Sequence, residues 1–187
     1  WSTGRWINEP PSVQHTAMGL TVEAAELSNA WVSPRTGEGV VTQNALVAPL
    51  HPGQAMEVAF VADMTEQFDQ SGIFLQFGED SWAKAGMELA DGLLQMTATV
   101  TWKRSDRSMC FVPDWNGRPV RIRVSWMHGT VAILARVDDD PFQLLRVFPL
   151  PDDTVVEAGP YLASPRRKGL SITFTDWRIT DADAYLA

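Results

Sequence analysis

The sequence predicts an all-β protein folded as a sandwich of two antiparallel sheets, and three observations carry that prediction. Apolar and polar residues alternate with period 2 through most of the chain. No window of helical length shows a sustained 3.6-residue apolar stripe. Clusters of turn-forming residues separate the alternating runs. One layer of half-buried strands cannot bury its own apolar face, so two layers are required. The 187 residues suit one domain spanning 1–187, and no internal repeat, low-complexity tract or linker interrupts them.

The opening segment is extended, and Asn8-Glu9-Pro10-Pro11 bars it from a central strand position. Strand signals follow at 19–26, 40–48 and 55–63. Two strong runs, 68–77 and 82–88, read as a hairpin. On the next run Thr97, Thr99, Thr101 and Lys103 alternate with Met96, Ala98, Val100 and Trp102. Asp114-Trp115-Asn116-Gly117 supplies a tight turn through its Asn-Gly pair. Val120, Ile122, Val124 and Trp126 then alternate with Arg121, Arg123 and Ser125. Strands at 130–137 and 142–148 flank the acidic turn Asp138-Asp139-Asp140-Pro141, and Pro151-Asp152-Asp153 marks another. Leu170, Ile172 and Phe174 alternate with Ser171, Thr173 and Thr175 in the closing strand. Trp102 and Trp126 fall on apolar faces and are expected in the core, as is Cys110 within Met109-Cys110-Phe111-Val112.

The hairpin is the most informative stretch. One face collects Ile73, Leu75, Phe77, Ala83, Ala85 and Met87, a core set. The other collects Gln70, Gly72, Gln76, Trp82, Lys84 and Glu88, which reads as an exposed recognition surface with two glycines leaving room beside it. A register with Glu79-Asp80-Ser81 as a three-residue loop pairs Phe77 with Ala83, Leu75 with Ala85 and Ile73 with Met87. A one-residue slip would move the apolar set of one strand to the wrong face.

Composition excludes several functions. Fifteen Lys and Arg against 23 Asp and Glu give a net charge of -8. Nucleic acid is therefore an improbable partner, because its binding rests on Lys and Arg neutralising phosphates. Anionic lipid surfaces would repel the same charge. No apolar run approaches the roughly 20 residues of a membrane span, and no signal-peptide pattern is present. A single cysteine leaves no intramolecular disulfide, so a cytoplasmic location is the expectation. His15, His51 and His128 are scattered without metal-ligand spacing, and neither a nucleophile elbow nor a phosphate-cradling glycine loop occurs. No cofactor and no metal are expected. Arg166-Arg167-Lys168 reads as a solvated loop.

At the hairpin the chain resembles a known family. Phe68-Asp69-Gln70-Ser71-Gly72-Ile73, Trp82-Ala83-Lys84-Ala85-Gly86-Met87-Glu88, Ser105-Asp106, Gly159-Pro160, Ser164-Pro165 and Lys168-Gly169 carry the resemblance. So do Trp6-Ile7-Asn8-Glu9-Pro10 at the start and Phe174-Thr175-Asp176-Trp177 near the end. The pattern is similar to domain-of-unknown-function family 1349, which contains a fungal regulator of enolase. The resemblance implies a concanavalin A-like jelly-roll sandwich and no established activity. Two places depart from the family pattern: Arg107 stands where an aromatic residue is usual, and 33–41 replaces a polar, His-containing stretch.

Three functional readings follow. The first is a non-enzymatic module for a carbohydrate or small polyol. Trp82 would stack on the sugar, Gln70, Gln76, Lys84 and Glu88 would hydrogen-bond it, and Asp69, Ser105 and Asp106 would hold or border the site. The second is a regulatory protein–protein interaction domain, suggested only by analogy with the enolase regulator. The third is a glycoside hydrolase pairing Glu88 with Asp69 or Asp106. That reaction needs two carboxyls about 5–5.5 Å apart for retention or about 6.5–9.5 Å for inversion, and no strand places two of them at alternate positions on the face of Glu88. The residues favour the binding module over an enzyme, and they assign no catalytic residue and no oligomeric state.

Overall fold

The computed structural model describes residues 1–184. In chain order its strands are β1 (Arg5–Ile7), β2 (Ser12–Thr16), β3 (Gly19–Glu23), β4 (Ala30–Val32), β5 (Gly39–Val41), β6 (Asn44–Leu50), β7 (Gln54–Val61) and β8 (Gln70–Gln76). They continue as β9 (Ser81–Ala90), β10 (Leu93–Trp102), β11 (Arg104–Phe111), β12 (Pro119–Met127), β13 (Thr130–Val137), β14 (Gln143–Pro149), β15 (Val156–Ala163) and β16 (Ser171–Asp181). The first sheet runs β1-β6-β15-β8-β9-β10-β11 and the second β14-β13-β12-β7-β16-β3-β2, while β4 and β5 form a separate ribbon. Neighbouring strands within the sheets pair antiparallel throughout.

This is a β-sandwich of jelly-roll type. Meanders β8–β11 and β12–β14 lie in opposite sheets, and the last two strands return to insert between earlier ones, one in each sheet. The inner faces follow the alternation. Ile73, Leu75, Ala85, Met87, Met96 and Val100 from the first sheet share one core with Val58, Phe60, Ile122, Val124, Trp126 and Phe174 from the second. Among the described residues no helix is long and apolar enough to cross a membrane.

The hairpin register differs from the sequence expectation by two residues. Gln70 faces Glu88, Gly72 faces Gly86, Phe74 faces Lys84 and Gln76 faces Trp82. The Phe77 N–H donates to Ser81 O at 3.0 Å, so the three-residue loop is Gly78-Glu79-Asp80. A two-residue shift preserves every side chain's face, so hydrophobic pattern cannot distinguish the two registers. The glycines can. A Cβ at Gly72 would lie 2.6 Å from Gly86 Cα, and one at Gly86 would lie 2.9 Å from Gly72 Cα. The strands approach so closely there that only glycine against glycine fits.

Two core expectations fail at sheet margins. Trp102 is 51% exposed, its ring 4.9 Å from that of Phe77 at the end of β10. Cys110 is exposed as well, because β11 is an edge strand.

Candidate functional site

The outer face of the first sheet is not the open surface that the alternation suggests. Part of the connection between β3 and β6, including Ala30 and Val32 of β4, packs against it. Ala30 joins Ala45, Val47, Phe74, Trp82 and Tyr161 in a second apolar cluster, with Val32 packed alongside. The Val32 N–H donates to Ser105 Oγ at 3.0 Å, and Arg104 donates to Pro34 O at 2.9 Å. Beside this cover a cavity of about 270 Å³ remains, lined by Asn29, Trp31, Phe68, Gln70, Lys84, Glu88 and Arg107.

Period 2 builds the floor. Gln70 on β8 and Lys84 and Glu88 on β9 point the same way, and each is about 97–98% buried. Lys84 Nζ donates to Gln70 Oε1 at 2.6 Å, and among the described residues this is its one hydrogen bond. Gln70 Nε2 reaches back to Asn29 Oδ1 at 3.4 Å. Arg107 on β11 brings Nη2 to 3.0 Å from Glu88 Oε1 and donates to Gln95 Oε1 at 3.1 Å.

The electrostatics follow from that burial. Desolvation pulls the Lys84 ammonium down to about 8; Glu88 opposes the shift and Arg107 adds to it. Tyr161, opposite Gly72 on β15, lies with its ring 6.0 Å from Lys84 Nζ. Burial, reinforced by the Glu88 charge, pushes its phenol above the ordinary value. Tyr161 Oη, Thr99 Oγ1 and Arg107 Nε are buried and have no partner among the described residues. Buried polar atoms are nearly always paired, so each of these is an exception, and of the three residues only Arg107 lines the cavity.

The Phe68 wall is held under strain. Its φ is +68°, a left-handed conformation that a bulky residue adopts only when its surroundings impose it. Asp69 supplies the constraint. Fully buried, it accepts from Thr65 N and Glu66 N, each at 3.2 Å, and from Arg167 through Nε and Nη2. Arg166 lies over the Phe68 ring, 5.7 Å from its centre. The basic cluster is thus a structural clamp and not simply a solvated loop.

The predicted site residues therefore separate. Gln70, Lys84 and Glu88 meet at the cavity floor. Asp69 acts behind Phe68, and Ser105 anchors Val32, next to Trp31. Trp82 is 1% exposed and stacks on Phe74 with ring centres 5.7 Å apart, packed with Ala30 in the second apolar cluster and not in the lining of this cavity. The pattern could not show that a covering ribbon descends on it. Gln76 caps its own loop by donating to Gly78 O. Asp106 is exposed and turned to Arg146 at 2.5 Å, away from the cavity. Asn29, Trp31, Phe68 and Tyr161 had not been proposed. Asn29, Trp31 and Tyr161 carry no local signal, whereas Phe68 opens the motif that carries the family resemblance and Arg107 is one of the two departures from the family pattern.

The family model described as "Protein of unknown function (DUF1349)" matches residues 6–182. The chain belongs to the DUF1349 family. It is 30% identical over 181 residues to "Regulation of enolase protein 1" of Saccharomyces cerevisiae, covering 96% of this chain and 90% of that protein. A solved S. cerevisiae structure described as a functionally unknown protein superposes with a TM-score of 0.89 at 28% identity over 98% of both chains. A xylan β-1,4-xylosidase from Bacillus halodurans matches 87% of this chain with a TM-score of 0.71, but at 11% identity and over 32% of the enzyme. That likeness shows a shared fold and nothing of the enzyme's activity.

Proposed function

We propose that this DUF1349 protein is a non-enzymatic binding module for a carbohydrate or related polyol of about monosaccharide size. One observation carries the proposal: a cavity of about 270 Å³ with aromatic walls, Trp31 and Phe68, above a buried polar floor of Gln70, Lys84 and Glu88. Ligand sites typically combine mostly apolar walls with a few convergent polar groups, and this cavity lies just below their usual range of about 300–1,000 Å³. The sugar's C–H face would rest on Trp31 or Phe68, the role expected of Trp82. Lys84 has two uncommitted protons, and Glu88 has lone pairs beyond its one cationic partner, so hydroxyls find both donors and acceptors.

Binding fits the geometry better than hydrolysis does. Glu88 is the one carboxylate in the cavity lining, Asp69 being engaged by Arg167 and Asp106 turned to Arg146. The regulatory-partner reading keeps one observation in its favour. Edge strand β11 exposes Met109 and Phe111, and an unpaired edge with apolar side chains can accept a partner chain. A glycan array on the wild type, Lys84→Met and Glu88→Gln separates the readings. Glycan binding by the wild type that both variants lose is the expected result. A wild type that binds no glycan refutes the carbohydrate reading, and reducing ends released from a polysaccharide would restore the enzyme.

A further inference from the structure

We infer that the cavity selects a ligand bearing one carboxylate, a monosaccharide-sized sugar acid, with Lys84 Nζ and Arg107 facing the carboxylate and Gln70 and Glu88 taking hydroxyls. This rests on the binding function proposed above and narrows its ligand class.

The first argument is charge. Three ionisable side chains line the cavity: Lys84, Arg107 and Glu88. Arg107 and Glu88 neutralise each other at 3.0 Å, whereas among the described residues Lys84 has no salt-bridge partner, only the neutral amide of Gln70 and the Tyr161 ring. A buried charge without a contacting counter-ion is costly, and a carboxylate delivered by a ligand removes that cost. A cavity of net charge +1 within a chain of net charge -8 is therefore a local exception with a definite complement. One negative charge brings it to zero, while a phosphate dianion would leave it negative.

The second argument is the unused hydrogen-bonding capacity. Arg107 Nε is buried without a partner, and Lys84 has two protons uncommitted. A carboxylate offers about four acceptor positions to such donors and forms charge-assisted bonds with them.

Selection of this kind depends on pH. The charged and titratable groups facing Lys84 are Glu88 of β9, Arg107 of β11 and Tyr161 of β15; the covering segment contributes Asn29 and Trp31, which do not titrate. In the empty cavity Lys84 loses its proton near pH 8, so the preference for an anion weakens as pH rises through that value. Calorimetric titrations of the wild type with glucuronate, galacturonate, glucose, galactose, glucose 6-phosphate and acetate, at about pH 7 and about pH 9.5, test this. A uronate should bind at least about tenfold more tightly than its neutral parent at the lower pH, by the worth of a charge-assisted hydrogen bond. The advantage should shrink at the higher pH and vanish in Lys84→Gln, whose folding is checked by thermal melting. The pH comparison needs no variant.

Equal binding of uronate and parent would overturn the inference while leaving the sugar-binding reading intact. Preference for glucose 6-phosphate would overturn the monoanion, and acetate binding as tightly as a uronate would overturn the sugar. Loss of binding to every probe would refute both the inference and the function it rests on.

Discussion

Lys84 is the residue on which the account turns. Alternation placed it on a polar face, beside Gln70 and Glu88, and that much was legible from period 2 alone. Its burial was not, because the residues that cover it come from the 24–44 segment and from Phe68, and no local pattern announces such a cover. The same cover explains why Trp82, expected at the surface, is stacked on Phe74. Burial has a measurable consequence. Lys84 keeps its proton to its ordinary 10.5 in the unfolded chain but releases it near 8 in the folded one. Between those values the unfolded chain binds more protons, so this group makes stability rise with pH. Tyr161 acts in the opposite sense above its ordinary 10.0, because its phenol ionises more readily once unfolded. The window is therefore about pH 8 to 10. Urea denaturation at several pH values should show the wild type gaining stability relative to Lys84→Met across it. Parallel curves for the two proteins would contradict a buried, depressed lysine.

At the scale of elements, the β8–β9 hairpin shows where sequence reasoning reaches its limit. Its two faces follow from alternation, but registers two residues apart have identical faces, and both match apolar residues with apolar ones, so the pattern could not choose between them. The glycines held the missing information. Gly72 and Gly86 sit opposite each other because the strands approach too closely for any side chain. Read as room for a ligand, they were evidence for a site; the structure shows that they are first a backbone requirement. Gly86→Ala should accordingly destabilise the fold by about 1–3 kcal/mol, the cost of overpacking, because its Cβ would press on the backbone carbonyl of Ser71 and on Gly72 Cα. The shift of the denaturation midpoint measures it, and an unchanged midpoint would mean that the two strands separate freely. The loop before β8 has a comparable logic. The Asp69–Arg167 clamp joins two segments that the sequence keeps far apart, which is why Arg166-Arg167-Lys168 looked like an ordinary solvated loop.

For the whole molecule, the two-sheet architecture was the most legible feature, since it depends on a periodicity repeated along most of the chain. The outer faces of the two sheets then diverge. On the second, Glu57 is held by Arg121, Arg123 and Arg178 at 3.0, 2.8 and 2.7 Å. Burial alone would raise its carboxyl, yet Arg178 and Arg123 bring it below the ordinary value. That network is internally balanced. On the first sheet Lys84 has no salt-bridge partner among the described residues, and Arg107 Nε, Tyr161 Oη and Thr99 Oγ1 are buried without a hydrogen bond, as is Arg136 Nε on the second. The most direct test of the proposed binding is a protein-observed NMR titration with monosaccharides and uronates, following the backbone amides together with the indole N–H signals of the eight tryptophans and the side-chain amides. The account predicts shifts concentrated at Trp31, Asn29 and Gln70, with Trp82 and Trp126 little changed. Saturating ligand with no shift at those three residues, or shifts mapped instead to Met109 and Phe111 on β11, would contradict it.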